Sequence, residues 1–390
     1  MYKPLQGIKV VDFTLAGSGP AGAGALTQFG AEDIWVEPIG GQTYPRLLHQ
    51  LDFYCSGKKS IALNLKNPDG MEAMLKLIEG ADVFIHNMRQ KAVDKLGLSW
   101  EKLHELNPRL IYASLTGWGE YGPKVNAPGY DTVCGWASSG MLQDFAEKGS
   151  LLVPPVAVVD CATGTNTALG ICAALYHRSV TGEGMRVYTS ILGTGVYLNH
   201  DAIIECQYGE TYPKSRLTPR RALLNTYKCS DGKWLTLLTN YFDKDFPEIL
   251  KIIGREDLIG DPRWKCLDDT MYEHAPELVK ILDDGFATVT REKALAELEA
   301  HDIACAPVQG TVDVLTDPQV RANNYVFDWT NPKDGKLYTI PTYPVQFGDH
   351  TPNEFHNAPE VGEHTVEILQ SLGYSEEKIQ EMLANKVAQG

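Results

Sequence analysis

Through the first half of the chain, short apolar runs alternate with stretches of helical periodicity. Ile8-Lys9-Val10-Val11-Asp12-Phe13, Asp33-Ile34-Trp35-Val36-Glu37, Ser60-Ile61-Ala62-Leu63-Asn64-Leu65, Asp82-Val83-Phe84-Ile85-His86, Leu110-Ile111-Tyr112-Ala113-Ser114-Leu115 and Met185-Arg186-Val187-Tyr188-Thr189-Ser190-Ile191 read as strands. Between the third and fourth, Asn67-Pro68-Asp69 opens a helix with Met71, Met74, Leu75, Leu77 and Ile78 on one side. Runs that are apolar throughout belong to strands buried on both faces, and intervening helices require those strands to be parallel. Ligands on such sheets collect at the carboxyl ends of the strands.

The pattern changes after residue 210. Thr211-Tyr212-Pro213 and Thr218-Pro219-Arg220-Arg221 read as a linker, and Tyr227 to Thr236 as a hairpin turning at Asp231-Gly232. Amphipathic helices follow near Phe246 to Ile253, Ala275 to Phe286 and Arg291 to Ala300. Asp317-Pro318 and Asn331-Pro332-Lys333-Asp334-Gly335 mark a return path, and two helices, Thr365 to Leu372 and Glu376 to Leu383, end the chain. The predicted fold class is α/β: a Rossmann-like parallel sheet in a large domain with a smaller α+β domain. The large domain takes residues 1–210, a linker 211–224, the small domain 225–310, and residues 311–390 return to dock on the large domain.

Composition narrows the function. Thirty-five Lys and Arg against 50 Asp and Glu give a net charge of −15 over 390 residues, which speaks against a general affinity for nucleic acid or anionic membranes. Any anionic ligand must be held by a local basic cluster. No apolar run approaches a membrane span and Met1-Tyr2-Lys3-Pro4-Leu5 lacks a leader core, so a cytoplasmic protein is expected. The eight cysteines have no CxxC spacing and the ten histidines no HExxH; reduced thiols and no metal site are expected.

The chemistry centres on Val153-Pro154-Pro155-Val156-Ala157-Val158-Val159-Asp160-Cys161, where a β-branched run, read as a buried strand, meets a helical pattern continuing to Thr181-Gly182. Asp160 is the only acid between Lys148 and Glu183. At a helix N-terminus the macrodipole favours an ionised carboxylate, a usable nucleophile once partly desolvated; an ordinary helix cap is the plainer reading. Gly17-Ser18-Gly19-Pro20-Ala21-Gly22 is a literal G-x-G-x-x-G, but it sits late after its strand and Pro20 removes an amide, so it is a poor dinucleotide turn. Lys58 and Lys59 before the third strand and Asn87, Arg89, Lys91 and Lys95 after the fourth read either as solvated charges or, jointly, as a phosphate cluster.

Several stretches carry a family resemblance in order and spacing: Pro4 to Phe13 with Gly19-Pro20, Gly30-Ala31 to Glu37, Gly57-Lys58-Lys59-Ser60, Asn107-Pro108-Arg109, Gly117-Trp118-Gly119, Arg178-Ser179-Val180-Thr181-Gly182-Glu183-Gly184 and Gly362-Glu363-His364-Thr365. Over nearly its whole length the chain resembles class III CoA-transferases of the formyl-CoA transferase and carnitine CoA-transferase type. The resemblance implies that Asp160 is the nucleophile, attacking an acyl-CoA to give an aspartyl anhydride and then an aspartyl-CoA thioester that passes CoA to a free carboxylic acid. It implies coenzyme A against Ala16, Gly17 and Ser18, Tyr54, Cys55, Ser56, Gly57 and Lys58, Asn87, Met88, Arg89 and Lys95, and Ala127, Pro128, Gly129 and Tyr130, with Lys58, Arg89 and Lys95 on the phosphates. It further implies an interlocked homodimer.

Two positions depart from the pattern. Pro38 stands where formyl-CoA transferases resemble one another in carrying an arginine for the nucleotide, and Arg221-Ala222-Leu223-Leu224-Asn225 replaces their run of glycines, which points to an acceptor larger than oxalate, such as a 2-hydroxy acid or a carnitine-like one. Two alternatives stand beside this reading. An α-methylacyl-CoA racemase would need a histidine where Gly129-Tyr130-Asp131 has tyrosine, a poor replacement for an imidazole base. An NAD-dependent dehydrogenase would rest on Gly17 to Gly22 alone.

Overall fold

The computed structural model describes residues 3–42, 50–151, 153–154, 156–348 and 354–390. The chain divides into two compact units, one of Met1–Leu142, Val153–Ile204 and Arg321–Gly390, the other of Gln143–Leu152 and Glu205–Val320.

The first unit is built on a seven-stranded sheet. Its strands are β1 (Lys9–Phe13), β2 (Glu32–Glu37), β3 (Lys59–Leu63), β4 (Val83–His86), β5 (Ile111–Thr116) and β6 (Arg186–Ser190), all parallel, in the order β3-β2-β1-β4-β5-β6. The chain reverses its direction of winding between β1 and β4, where the register pairs Val11 with Phe84 and Phe13 with His86. Such a reversal opens a crevice beyond the strands' carboxyl ends. Apolar runs follow from burial on both faces: Val10, Val83, Ile85, Ile111 and Ala113 enter one core with Leu26 and Ile171, whereas their neighbours Val11, Phe84 and Tyr112 enter another with Met74, Ile78, Ile368 and Met382.

Two helices pack on the first of these faces and against each other. The first, Ser18–Gln28, packs on the long helix Val158–Thr181. Their contact is backbone on backbone: a Cβ on Gly22 would lie 3.1 Å from the Gly164 carbonyl oxygen, and one on Gly164 would lie 2.7 Å from the Gly22 nitrogen. The glycines of Gly17 to Gly22 are therefore occupied in packing, since Gly19 likewise has no room for a methyl beside Thr14 and Asn87. At 24 residues the long helix is long and apolar enough to cross a membrane by length and composition, which a search for apolar runs passes over. Thr163, Gly164, Thr167, Ala168, Ile171 and Ala174 are nevertheless buried, and Arg178 near its end pairs with Asp82 at 2.8 Å.

The chain's final segment completes the sheet. Helices Thr365–Ser371 and Glu376–Ala384 place Ile368, Leu369, Ile379 and Met382 in the core beneath β3, and β12 (Ala388–Gln389) pairs antiparallel with β3. The last helix ends in a Schellman turn, with the Val387 amide donating to the Met382 carbonyl (2.8 Å) and the Lys386 amide to that of Leu383 (3.1 Å). Glycine is usual at the left-handed position of this turn; here it is Lys386, at φ 54°, where a side chain costs roughly 1–2 kcal/mol. Residues 311–390 also hold a hairpin the sequence reading did not anticipate, β10 (Val326–Thr330) with β11 (Leu337–Pro341), whose turn is the Asn331 to Gly335 segment.

In the second unit, β7 (Leu224–Lys228), β8 (Trp234–Leu238) and β9 (Ala304–Pro307) form an antiparallel sheet. The turn at Asp231-Gly232 is as the sequence suggests, with Gly232 at φ 77°. Helices Phe242–Ile252, Ala275–Phe286 and Arg291–Ala300 cover it around Tyr227, Leu235, Phe246, Leu282 and Phe286.

Candidate active site

A cleft of about 410 Å³ opens over the carboxyl ends of β1, β4 and β5. After β1 the chain turns through Ala16, at φ 64°, into the first helix. Asn87, just past β4, holds that turn: its side-chain oxygen accepts the Leu15 amide at 2.9 Å and its nitrogen donates to the Leu15 carbonyl at 2.6 Å. This clamp fixes the floor of the cleft at the point where the winding reverses.

Asp160 lines the cleft from the first turn of the long helix. Its own backbone amide donates to Asp131 Oδ1 at 2.7 Å. Asp131, arriving from the wide π-helical turn Asp131–Ala137, therefore performs the capping that Ala157, the residue before the helix, cannot provide. The Asp160 carboxylate lies on Gly17 so closely that a Cβ there would be 2.5 Å from Oδ2. Its Oδ1 is buried with no hydrogen-bond partner among the described residues. Burial, and then the neighbouring Asp131 carboxylate, push Asp160 up to about 7, against a smaller opposing pull from the Ser18 hydroxyl. Burial raises Asp131 as well, opposed by the amides it accepts.

Three expectations about this stretch are corrected. The β-branched run before Asp160 is not a strand: Val153 and Val156 are 57% and 61% exposed, and the helix begins only at Val158; Leu152 and Pro155 lie outside the described residues. Asp160 is not the helix cap, since it sits inside the first turn. Finally, Asp160 is not held ionised: burial, with the Asp131 charge beside it, leaves a carboxylate that is partly protonated near neutrality.

The cleft gathers Ala16, Gly17, Ser18, Asn87, Met88, Arg89, Ala127, Pro128, Gly129 and Tyr130 around Asp160. The remaining predicted residues are elsewhere. Lys58 is the main correction: its Nζ donates to Asp12 Oδ2 at 2.7 Å and lies 3.6 Å from Asp33, with all three side chains fully buried. It enters β3 at the amino end, opposite the ligand-binding edge, and its charge is spent on two carboxylates, so it does not meet a phosphate. Cys55 is buried and its thiol pushed up to about 12 by desolvation; Ser56 is buried and accepts the His356 amide at 2.9 Å; Gly57 turns the chain at φ 80°. Tyr54 lines a separate apolar pocket of about 220 Å³ with Cys161, their hydroxyl and thiol 3.1 Å apart. Lys95 is exposed on the helix Gln90–Leu96, away from the cleft lining.

Thr116, Gly117, Trp118 and Ile191 line the cleft without having been singled out as site residues. Gly117 has a sequence signal in its Gly-Trp-Gly run, and packs so that a Cβ would meet the Gly129 Cα at 2.8 Å. A second groove of about 670 Å³ shares Leu15 and Met88 with the first and extends over the ends of β2 and β3 past Pro38, Lys66 and Lys386. Among the described residues no group of three His, Cys, Asp or Glu side chains is placed to hold a metal ion.

The comparisons with known proteins agree with this architecture. Residues 5–365 match the model of CoA-transferase family III. The chain is 34% identical, over 98% of its length and 99% of the other's, to an (R)-2-hydroxy-4-methylpentanoate CoA-transferase of Clostridioides difficile, and 33% identical, over 99% of each, to a formyl-CoA:oxalate CoA-transferase of Escherichia coli O157:H7. Among solved structures it is similar to a CAIB/BAIF family protein from Brucella suis, with a TM-score of 0.81 and 26% identity over 95% of this chain and all of that one. Rv3272 from Mycobacterium tuberculosis is similar at the same TM-score and 27% identity, over 93% of this chain and 98% of that one. Likeness along the whole chain places this protein in CoA-transferase family III, as a CoA-transferase.

Proposed function

We propose that the chain moves CoA from an acyl-CoA thioester to a free carboxylic acid, with Asp160 as the covalent nucleophile. The observation that carries this reading is that Asp160 is the one carboxylate among the described residues lining the cleft, with one oxygen buried and unpartnered and the other on Gly17. Asp160 attacks the thioester carbonyl; the C–S bond breaks, leaving an aspartyl–acyl anhydride and CoA thiolate. The thiolate attacks the aspartyl carbonyl, releasing the donor acid and leaving an aspartyl-CoA thioester. The acceptor carboxylate attacks that thioester in turn, and the returning thiolate releases the new acyl-CoA and free Asp160.

The site's residues suit each step. The Ser18 amide, in the first turn of the first helix, has no intrahelical partner by geometry, and Ser18 lines the cleft with Asp160, which suits this amide to the tetrahedral oxyanion. Apolar walls at Leu115, Val125 and Ile191 keep water from the activated aspartyl group. Arg89, on the cleft's rim and exposed, supplies a cation toward the CoA phosphates. The nucleoside end of CoA then continues past Leu15 and Met88 into the second groove.

A 2-hydroxy acid is the acceptor class we favour. The named activity of the Clostridioides difficile relative supports it, as does the replacement of a glycine run by Arg221-Ala222-Leu223-Leu224-Asn225. We also propose the interlocked homodimer, supported by apolar side chains left exposed along the long helix and after it: Leu169 (68%), Tyr176 (74%), Val180 (71%) and Tyr197 (69%).

The test is trapping. Incubation with an acyl-CoA and hydroxylamine should convert Asp160, and no other residue, to a hydroxamate detected by peptide mass spectrometry. Label on Cys161, or unimpaired transfer by Asp160→Asn, would refute the mechanism.

A further inference from the structure

The second groove presents an unusual pairing of wall and charge. Its surface is largely apolar, from Pro38, Ile39, Leu65 and Leu96, yet Lys66 and Lys386 also line it. Among the described residues its one acid, Glu37, is buried and accepts the Ser60 hydroxyl at 2.7 Å. In a chain of net charge −15, two cations on an apolar groove suit a ligand that is flat and apolar with an anion attached.

Lys386 is held there by the backbone. It fills the left-handed position of the Schellman turn that closes the last helix, a place where glycine avoids strain and lysine does not. Directly after it the chain is pinned to β3: the Asn64 amide donates to the Val387 carbonyl at 2.8 Å, and Ala388 pairs with Leu63. Strained residues persist where the surrounding structure fixes them, and they concentrate at functional sites. The side chain that this strain delivers belongs to the groove.

We infer that Lys386 binds the 3′-phosphate on the nucleoside end of CoA, supplying the cation that Pro38 cannot. The inference rests on the reading of the cleft as the CoA site. An adenine packed on Pro38, Ile39 and Leu65 leaves its ribose phosphate facing the tail of the chain, while Arg89 remains with the pyrophosphate nearer Asp160. The C-terminal segment thereby serves the sheet and the ligand at once.

The test compares CoA with 3′-dephospho-CoA by calorimetry on the full-length protein. Wild type should bind CoA at least about tenfold more tightly than the dephospho form. Lys386→Gly, which also relieves the left-handed strain and so keeps the fold, should weaken CoA about tenfold and leave 3′-dephospho-CoA unchanged. Lys386→Arg should keep most of the discrimination. In turnover the loss should appear in KM for acyl-CoA and not in kcat. An equal loss for both ligands, or none for either, overturns the assignment while leaving the cleft as the CoA site. If wild type binds neither ligand, the reading of the cleft falls as well.

Discussion

Asp131 holds Asp160 by the backbone and opposes it by charge. Its Oδ1 accepts the Asp160 amide at 2.7 Å, and the same carboxylate helps raise the Asp160 side chain to about 7. Asp131→Asn keeps an acceptor for that amide but removes the like charge. The midpoint of the pH dependence of kcat/KM should therefore move to lower pH with kcat largely kept. Asp131→Ala also removes the cap, at a cost of about 1 kcal/mol in stability, and should lower kcat as the helix start loosens. A pH–rate profile and a thermal melt on each variant separate the two roles.

The wild-type profile follows from the same shift. Only the ionised carboxylate attacks a thioester, so kcat/KM for acyl-CoA should rise with pH and level off above about 7. Ser18→Ala removes the hydroxyl that favours the ionised form and should move the midpoint upward.

Stability should run the opposite way. A carboxyl group raised from 3.8 unfolded to about 7 folded binds more protons in the native state between those values, so stability falls as pH rises through that window. Asp160→Asn escapes this cost. It should be more stable than wild type at pH ~8, on the order of 2 kcal/mol, and equal to it near pH ~4. Urea unfolding at the two pH values measures the difference, and a variant less stable at the higher pH would contradict it.

Gly17→Ala should cost catalysis more than folding. The added methyl would sit 2.5 Å from Asp160 Oδ2 and turn the carboxylate out of line. We expect a fall in kcat of about 100-fold or more, as for a misplacement of about 1 Å, with loss of hydroxylamine trapping at Asp160 and a melting temperature within a few degrees of wild type.

Lys58 and Arg89 should separate cleanly. Lys58→Met strands Asp12 and Asp33 in the core, and breaking a buried ion pair in this way costs about 3–5 kcal/mol; denaturant unfolding will report it. Arg89→Ala should leave stability alone and weaken CoA binding in a salt-dependent way, measured by titration at two ionic strengths.

Much of the sheet was legible because strands buried on both faces must be apolar at every position, as Val10-Val11 and Val83-Phe84-Ile85 are. Asp160 was legible as an isolated acid at the start of a helical pattern. Lys58 was not, because a lysine beside a Gly turn looks solvated until Asp12 and Asp33, far away in sequence, are found to enclose it. Asp131 was passed over beside Tyr130, the residue that told against a histidine mechanism, since its role is to bind an amide 29 residues further on. The glycines after β1 form a literal G-x-G-x-x-G, but it is Asp160 at Gly17, Thr14 and Asn87 at Gly19 and Gly164 at Gly22 that explain them. Burial of charge and helix-to-helix fit are decided by distant partners, which a local pattern does not contain.

The meeting of Gly22 and Gly164 leaves the two helices no play. Neither can slide or roll on the other without one main chain striking the other, so they behave as a single rigid block that brings Ser18 and Asp160 to the same cleft. A methyl gained on one side would have to be matched by atoms given up on the other. Variants of this enzyme that alter that seam should therefore arise by paired change, and the reach from Ser18 to Asp160 should be among the least adjustable lengths in the molecule.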